Sequence, residues 1–346
     1  MRAARLLGPN QMVMQELPEP VLGNKDVLVQ VKYAGICGTD YSIYSGESSF
    51  VKNGMVKFPL TMGHEWSGVV SKLGADVEKL NIGDRVVGDT AVSCGSCFEC
   101  IKGEYIQCVN SHAVGTVNAI DGAFADFIVM PERHLFLLPD NVSFKQGAIV
   151  EPIATGMYAV KRGGVRPGDI VLVHGTGPIG LAAVQLSKIS GAAKVILSGR
   201  NDFKLNIGKQ LGADMTVNIL KDNLGNLVKD VTHGKGPDVI IEASGAVSAL
   251  KESMGMVRPG GTISLVAFYD QNIENFDIDS LILNDVKLVS VAGSPVLAMT
   301  VLKLMEHGRI NMDKIITHEF NLNDIVNVLQ GMEKNRNERI KILLKV

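Results

Sequence analysis

Ile170-Val171-Leu172-Val173-His174-Gly175-Thr176-Gly177-Pro178-Ile179-Gly180-Leu181 decides the fold. A strand, Ile170 to His174, runs into a G-x-G-x-x-G turn, and an apolar helix from Leu181 to Ser190 follows. That context gives the motif its weight, since three spaced glycines alone are common. Gly175 allows the tight turn, Gly177 lets a pyrophosphate approach the backbone, and Gly180 lets helix and strand pack closely. The helix start then offers unpaired N–H groups to the anion. Gly175, Thr176, Gly177, Pro178, Ile179 and Gly180 are therefore candidate cofactor-binding residues. The plainer alternative, a glycine turn between ordinary elements, explains the spacing less well.

Outward from this point the chain alternates. Lys194 to Leu197 reads as a strand and Phe203 to Leu211 as a helix. Val239 to Glu242 and Thr262 to Ala267 are strands with a helix, Ser248 to Val257, between them. Val286 to Ala292 is a last strand, and Ala298 to His307 a helix. Such alternation predicts a parallel sheet wrapped by helices. A further helix is expected from Ala154 to Lys161. The first third differs. Asp26–Lys32, Trp66–Ser71, Arg85–Val87 and Ala123–Met130 are short strands between glycine-bearing turns, the pattern of a partly closed antiparallel barrel. A short β tail, Lys341 to Leu344, is expected to pack back on that first third. The fold class is α/β.

A chain of 346 residues, 46% of them hydrophobic, suggests two domains with full cores. The 34 basic and 36 acidic residues nearly cancel, so neither nucleic acid nor a membrane surface is implied as a partner. No run of 18 apolar residues argues for a membrane span, and no apolar stretch follows the basic start to suggest a secretory signal. Cysteine usage suits a reducing cytoplasm.

Cys94-x2-Cys97-x2-Cys100-x7-Cys108 places four cysteines within fifteen positions. Two-residue gaps turn consecutive thiolates back onto one centre, as a tetrahedral structural zinc requires. A disulfide or a redox C-x-x-C is the alternative, and each fits four cysteines at this spacing less well. A closed four-sulfur site has no open position, so chemistry must lie elsewhere. The fifth cysteine, Cys37, gains interest beside His64, Glu65 and Glu151. A thiolate, an imidazole and one or two carboxylates suit an open zinc site. Zinc there acidifies an alcohol, whose carbon then releases a hydride to nicotinamide.

The second strand of the alternating region ends in Ser198-Gly199-Arg200, where NAD enzymes carry an acidic residue. A glycine followed by an arginine favours a 2′-phosphate, so NADP is expected over NAD. Asp202 would weaken that expectation if it turned toward the ribose.

Together these motifs resemble the zinc-dependent medium-chain dehydrogenase/reductase family, essentially end to end. The matching elements are Cys37-Gly38-Thr39-Asp40, Gly63-His64-Glu65-x-x-Gly68, Gly83-Asp84-Arg85-Val86, the four-cysteine lobe at about 91–110, and Gly175 to Gly180. The resemblance implies a GroES-like β-barrel catalytic domain, residues 1–153 and 293–346, with a Rossmann domain, 154–292, between its halves. It implies two zinc ions per subunit and maps the catalytic ligands onto Cys37, His64 and Glu65. Glu151 would lie near the metal, directly or through water, and Thr39 would relay the substrate proton. Val150-Glu151-Pro152 and Glu65 look most like polyol dehydrogenases. Threonine dehydrogenases carry a histidine where this chain has Ser42. Gly293-Ser294-Pro295 lacks the arginine of sorbitol dehydrogenase proper. The expected activity is thus oxidation of a secondary alcohol on a polyol or sugar-like substrate. A threonine-type amino-alcohol dehydrogenase is the alternative, and a non-catalytic zinc-stabilised dinucleotide binder is one of another class. An apolar edge strand at Val286–Ala292 and the family likeness both point to a homodimer or homotetramer.

Overall fold

The computed structural model describes residues 1–294, 297–334 and 336–346. Pro295, in the stretch compared above with sorbitol dehydrogenase, lies outside the described residues. The chain forms two compact units. One comprises Met1–Glu151, Gly293–Gly308 and Ile316–Val346; the other comprises Pro152–Ala292 and Arg309–Ile315.

The first unit is built on a seven-stranded sheet. Its order is Leu135–Leu137, Arg85–Gly88, Glu65–Leu73, Asp26–Ile36, Lys341–Lys345 and Ile316–Asn321, and Phe127–Pro131 pairs beside Asp26–Ile36. Pairing is antiparallel except between Ile316–Asn321 and Lys341–Lys345. Two register shifts along Asp26–Ile36 bend it as a barrel strand must bend. Trp66, 2% exposed, fills the interior with Val29, Val70 and Ile128. The tail is no appendage, because Lys341–Lys345 lies between two strands and Leu343 and Leu344 are fully buried.

The strand expected over Ala123–Met130 begins only at Phe127. The reason is local: Ala123 and Phe124 donate their N–H groups to the carbonyls of Gly63 and Met62 instead of to a ladder. That clamp holds the segment before His64.

The second unit is a six-stranded parallel sheet. Its order is Met215–Asn218, Lys194–Gly199, Ile170–His174, Val239–Glu242, Thr262–Leu265 and Lys287–Ser290. Numbered along the chain this is 3-2-1-4-5-6, the doubly wound dinucleotide-binding order. The order reverses at Ile170–His174, whose C-terminal end carries the glycine loop. Leu172, Ile196, Ile240 and Ile263 form a core with no exposure. Several short elements of this unit have no counterpart in the sequence reading, among them the strand Met215–Asn218 and the helices Leu224–Val231 and Ile278–Leu283. The strand is four residues long and only half-buried, too short for a periodic signal. The helix expected from Ala154 starts at Val150, since a proline in the first turn removes no helical hydrogen bond. That early start places Glu151 in the first turn.

If the tail is a core strand, Leu343→Ala should cost about 2–5 kcal/mol of stability in urea unfolding. A cost below about 1 kcal/mol would show that the tail is peripheral.

Candidate active site

Cys37 ends the strand Asp26–Ile36 and caps the helix Gly38–Ser45. Its N–H donates to Asp40 Oδ2 at 2.8 Å, closing the first turn. The other oxygen of Asp40 lies 3.4 Å from His64 Nδ1. Asp40 has no exposure and His64 is 5% exposed, so one buried carboxylate ties the Cys37 turn to the His64 segment. Neither Asp40 Oδ1 nor His64 Nδ1 makes a well-aligned hydrogen bond. Burial opposes charge on the imidazole, yet Asp40, and after it Cys37, raise its pKa well above the usual value. With Asp40 on the Nδ1 side, Nε2 is the nitrogen left for a metal, the arrangement that orients ligating histidines.

Gly63 sets the direction of His64. Its φ is +96°, and a Cβ there would sit 2.5 Å from the Phe124 ring, the ring held by the clamp described above. Glu65 follows, fully buried, with Lys341 Nζ 2.7 Å from Oε1 and 2.6 Å from Oε2. Lys341, 2% exposed, also donates to the Ile36 carbonyl at 3.0 Å. Ligand atoms of Cys37, His64 and Glu65 all lie within 4.8 Å of one another. One thiolate, one imidazole and one carboxylate at that spacing fit a three-donor zinc site with a position open.

Glu151 stands outside this set of three. Its Oε1 accepts from Thr90 Oγ1 at 3.0 Å. Burial foremost, with the Glu65 charge, pushes its carboxyl above the ordinary range against the pull of His64, the Thr90 hydroxyl and Lys341. Thr39 is half-buried in the first turn of Gly38–Ser45. Ser42 Oγ is committed to the Thr39 carbonyl at 3.1 Å.

The four other cysteines converge separately, their sulfurs also within 4.8 Å of one another and none in a disulfide. Sulfur separations of 3.5 Å (Cys97 to Cys100) and 3.9 Å (Cys94 to Cys100) match the edge of about 3.8 Å in a tetrahedron with 2.3 Å zinc–sulfur legs. The N–H groups of Ser96 and Cys97 pull the Cys94 thiol down to about 5, while burial pushes Cys100 up to about 11. The geometry of the four sulfurs fits a tetrahedral zinc site.

In the second unit, Gly175 has φ +103°, and a Cβ on Gly180 would meet the Gly175 carbonyl oxygen at 2.1 Å. In front of Gly177 the space is open. Gly177 starts the twelve-residue helix Pro178–Ile189 with no side-chain cap, so its first N–H groups stay available to a phosphate. Thr176, Pro178 and Ile179 are half-buried in that loop. The loop fits a dinucleotide.

Comparison with known proteins agrees. Residues 23–140 match the alcohol dehydrogenase GroES-like domain, and residues 178–306 the zinc-binding dehydrogenase domain. A sorbitol dehydrogenase of Halalkalibacterium halodurans is 34% identical, over 97% of this chain and 96% of its own length. An L-threonine 3-dehydrogenase of Pyrococcus horikoshii is 34% identical, over 90% of this chain and 88% of its own. A zinc-binding dehydrogenase structure from Sinorhizobium meliloti, solved with NADP, superposes with a TM-score of 0.90 at 28% identity, covering 100% of this chain and 99% of that one. The chain belongs to the zinc-dependent medium-chain dehydrogenase/reductase family. Within it the chain falls in the polyol/threonine dehydrogenase branch, and it is an NAD(P)-dependent zinc alcohol/polyol dehydrogenase. No helix among the described residues is long and apolar enough to cross a membrane.

For this dehydrogenase, two buried residues beside the candidate ligands went unassigned in the sequence. Asp40 was in view within Cys37-Gly38-Thr39-Asp40, and an acidic residue three positions after a helix cap was its signal. Lys341 had none, because a lysine in an apolar tail reads as an outward-facing residue. The cofactor residues divide. Arg200 is exposed and pairs with no carboxylate among the described residues, whereas Ser198 is buried with its hydroxyl 2.8 Å from His174 Nδ1. Gly199 has a packing reason of its own, since a Cβ there would lie 2.6 Å from Thr176 Cγ2.

His174 yields a pH prediction. Burial lowers its pKa from 6.5 to about 4. Between those values the unfolded chain binds the extra proton, so stability is full above about pH 6.5 and falls as pH drops toward 4. The loss is about 1.4 kcal/mol per unit. His174→Gln should flatten this part of a urea-stability profile against pH. An unchanged slope would assign the acid sensitivity to other groups.

Proposed function

We propose that this dehydrogenase interconverts a secondary alcohol and a ketone on a polyol or sugar-like substrate, with NADP preferred over NAD. The observation that carries the reading is the convergence of Cys37, His64 and Glu65 behind a buried Asp40. On this reading those three residues hold a catalytic zinc, which supplies Lewis-acid polarisation of the substrate oxygen. Cys94, Cys97, Cys100 and Cys108 hold a second, structural zinc. Thr39 carries the substrate's hydroxyl proton away. Because Ser42 spends its hydroxyl on the helix backbone, that proton leaves without a side chain at 42, which weighs against a threonine-type substrate. Glu151, with a raised pKa and a hydrogen bond from Thr90, serves as a proton-sharing group beside the metal. The catalytic domain is residues 1–153 and 293–346 and the cofactor domain 154–292. The Lys287–Ser290 edge strand supports a homodimer or homotetramer, and the protein works in the cytoplasm.

Solved neighbours of this fold hold NADP or NADH, so the chain's own residues must decide between them. Arg200 is free to meet a 2′-phosphate. Asp202 is engaged by Lys221 Nζ and Asn218 Nδ2, both at 2.6 Å, which keeps its charge from repelling that phosphate. Gly177 to Gly180 serve either dinucleotide.

Two measurements test this reading. Cys37→Ser should lose one of two zinc ions per chain, and turnover across a polyol panel should fall by more than about 100-fold. Full activity in that variant would sink the catalytic-metal assignment. Arg200→Ala should weaken NADP binding by roughly 10–100-fold, as loss of a charge-assisted contact of about 1.5–3 kcal/mol implies, and leave NAD nearly unchanged. Equal losses for both cofactors, or a wild-type preference for NAD, would refute the NADP assignment.

A further inference from the structure

Lys341 is among the largest fully buried side chains of the molecule. Its ammonium has three protons, and three acceptors lie within reach: Ile36 O at 3.0 Å, Glu65 Oε1 at 2.7 Å and Glu65 Oε2 at 2.6 Å. The set is complete without water. Both oxygens of Glu65 are thus engaged by a cation while Glu65 also stands in the three-residue metal set. Each carboxylate oxygen has a second lone pair, so ammonium and metal can share the group, but neither then has all of its charge. The seat is built for this. A Cβ at Gly35 would come within 2.2 Å of Glu65 Oε2, and Ile36 fixes the lysine from the same strand.

We infer that Lys341 is a positioning residue that competes with zinc for the Glu65 carboxylate. It holds that carboxylate within reach of the metal and weakens it as a donor. It also balances charge where Cys37, Glu65, Glu151 and Asp40 bring acidic groups together out of water. Two linked consequences follow from removing the ammonium. The metal-free protein loses stability because Glu65 is stranded, and the metal is held more tightly because Glu65 gives its whole charge to it. A role in packing alone predicts the opposite sign, a looser metal in a loosened site. The inference rests on reading Cys37, His64 and Glu65 as a metal site.

The test is chelator-driven zinc release from wild type and from Lys341→Met, Lys341→Gln and Lys341→Arg, with Glu65→Gln and Glu65→Gln/Lys341→Met alongside. The ion of interest is the one absent from Cys37→Ser. Lys341→Met and Lys341→Gln should hold that ion roughly 10–100-fold more tightly, the range over which outer partners alter metal affinity. Lys341→Arg should stay near wild type, and the Lys341→Met change should vanish in the Glu65→Gln background. Unchanged or weaker retention in the neutral variants would overturn the proposal, as would an equal effect without Glu65. If Lys341→Met does not fold, Lys341→Gln decides alone, because it keeps a hydrogen bond to Glu65 and removes the charge. A Cys37→Ser protein with its full zinc complement would instead overturn the metal-site reading itself.

Discussion

A lysine ammonium and a glutamate carboxylate, both withdrawn from water, meet at 2.6–2.7 Å between residues 341 and 65. Breaking such a pair by removing one member costs about 3–5 kcal/mol, because the other is left charged and unsolvated. The first unit is arranged so that this never happens. Lys341 opens the strand Lys341–Lys345, which pairs with Asp26–Ile36, so the pair forms only when the chain's end enters the sheet. Asp26–Ile36 also supplies the carbonyl of Ile36 and leaves Gly35 bare beside the carboxylate. Residues far apart in the chain are therefore held in register by a charge that cannot be left alone.

The same constraint, that no buried polar group goes unpartnered, organises the surroundings. Asp40 serves the N–H of Cys37 with one oxygen and approaches His64 with the other. Thr90 partners Glu151. The exceptions carry information. His64 Nδ1 and Asp40 Oδ1 lack aligned partners, and both lie where a bound cation would draw the imidazole into place. Trp66 Nε1, Ser187 Oγ and His174 Nε2 are unpartnered as well, the last in an environment where a neutral ring is tolerated and a charged one is not. Polar atoms left over at the candidate metal centre thus differ in kind from one left over in the sheet of the second unit.

What was legible in the sequence was what repeats or clusters locally. The strand–glycine–helix run at 170–190 and the four cysteines within fifteen positions each state their geometry in one short window. The barrel strands were legible as short runs between glycine-bearing turns, with errors where the backbone serves another loop, as at Ala123 and Phe124. Met215–Asn218 and Leu224–Val231 were missed because one is too short for a period and the other carries Gly225 and Asn226 inside its apolar stripe. Lys341 was illegible for a stronger reason. Its role depends on Glu65, 276 residues earlier, and no local pattern distinguishes a buried lysine from an exposed one until both ends of that separation are in one sheet.

On the proposed reading, the two cysteine-bearing sets divide labour by donor type. Four sulfurs at tetrahedral spacing saturate a zinc ion and leave nothing for a substrate. A mixed set of three leaves a position open, but it gathers acidic groups where solvent cannot screen them. Such a set is workable only if part of its negative charge is answered by the protein itself. Asp40 beside His64 and Lys341 beside Glu65 answer it in different ways. With His64 and Glu65 as the proposed ligands, the first would add electron density to its ligand and the second would withdraw it. An open metal site built this way has one donor strengthened and one weakened by fixed neighbours. Its affinity and its acidity are then properties of residues that never touch the metal.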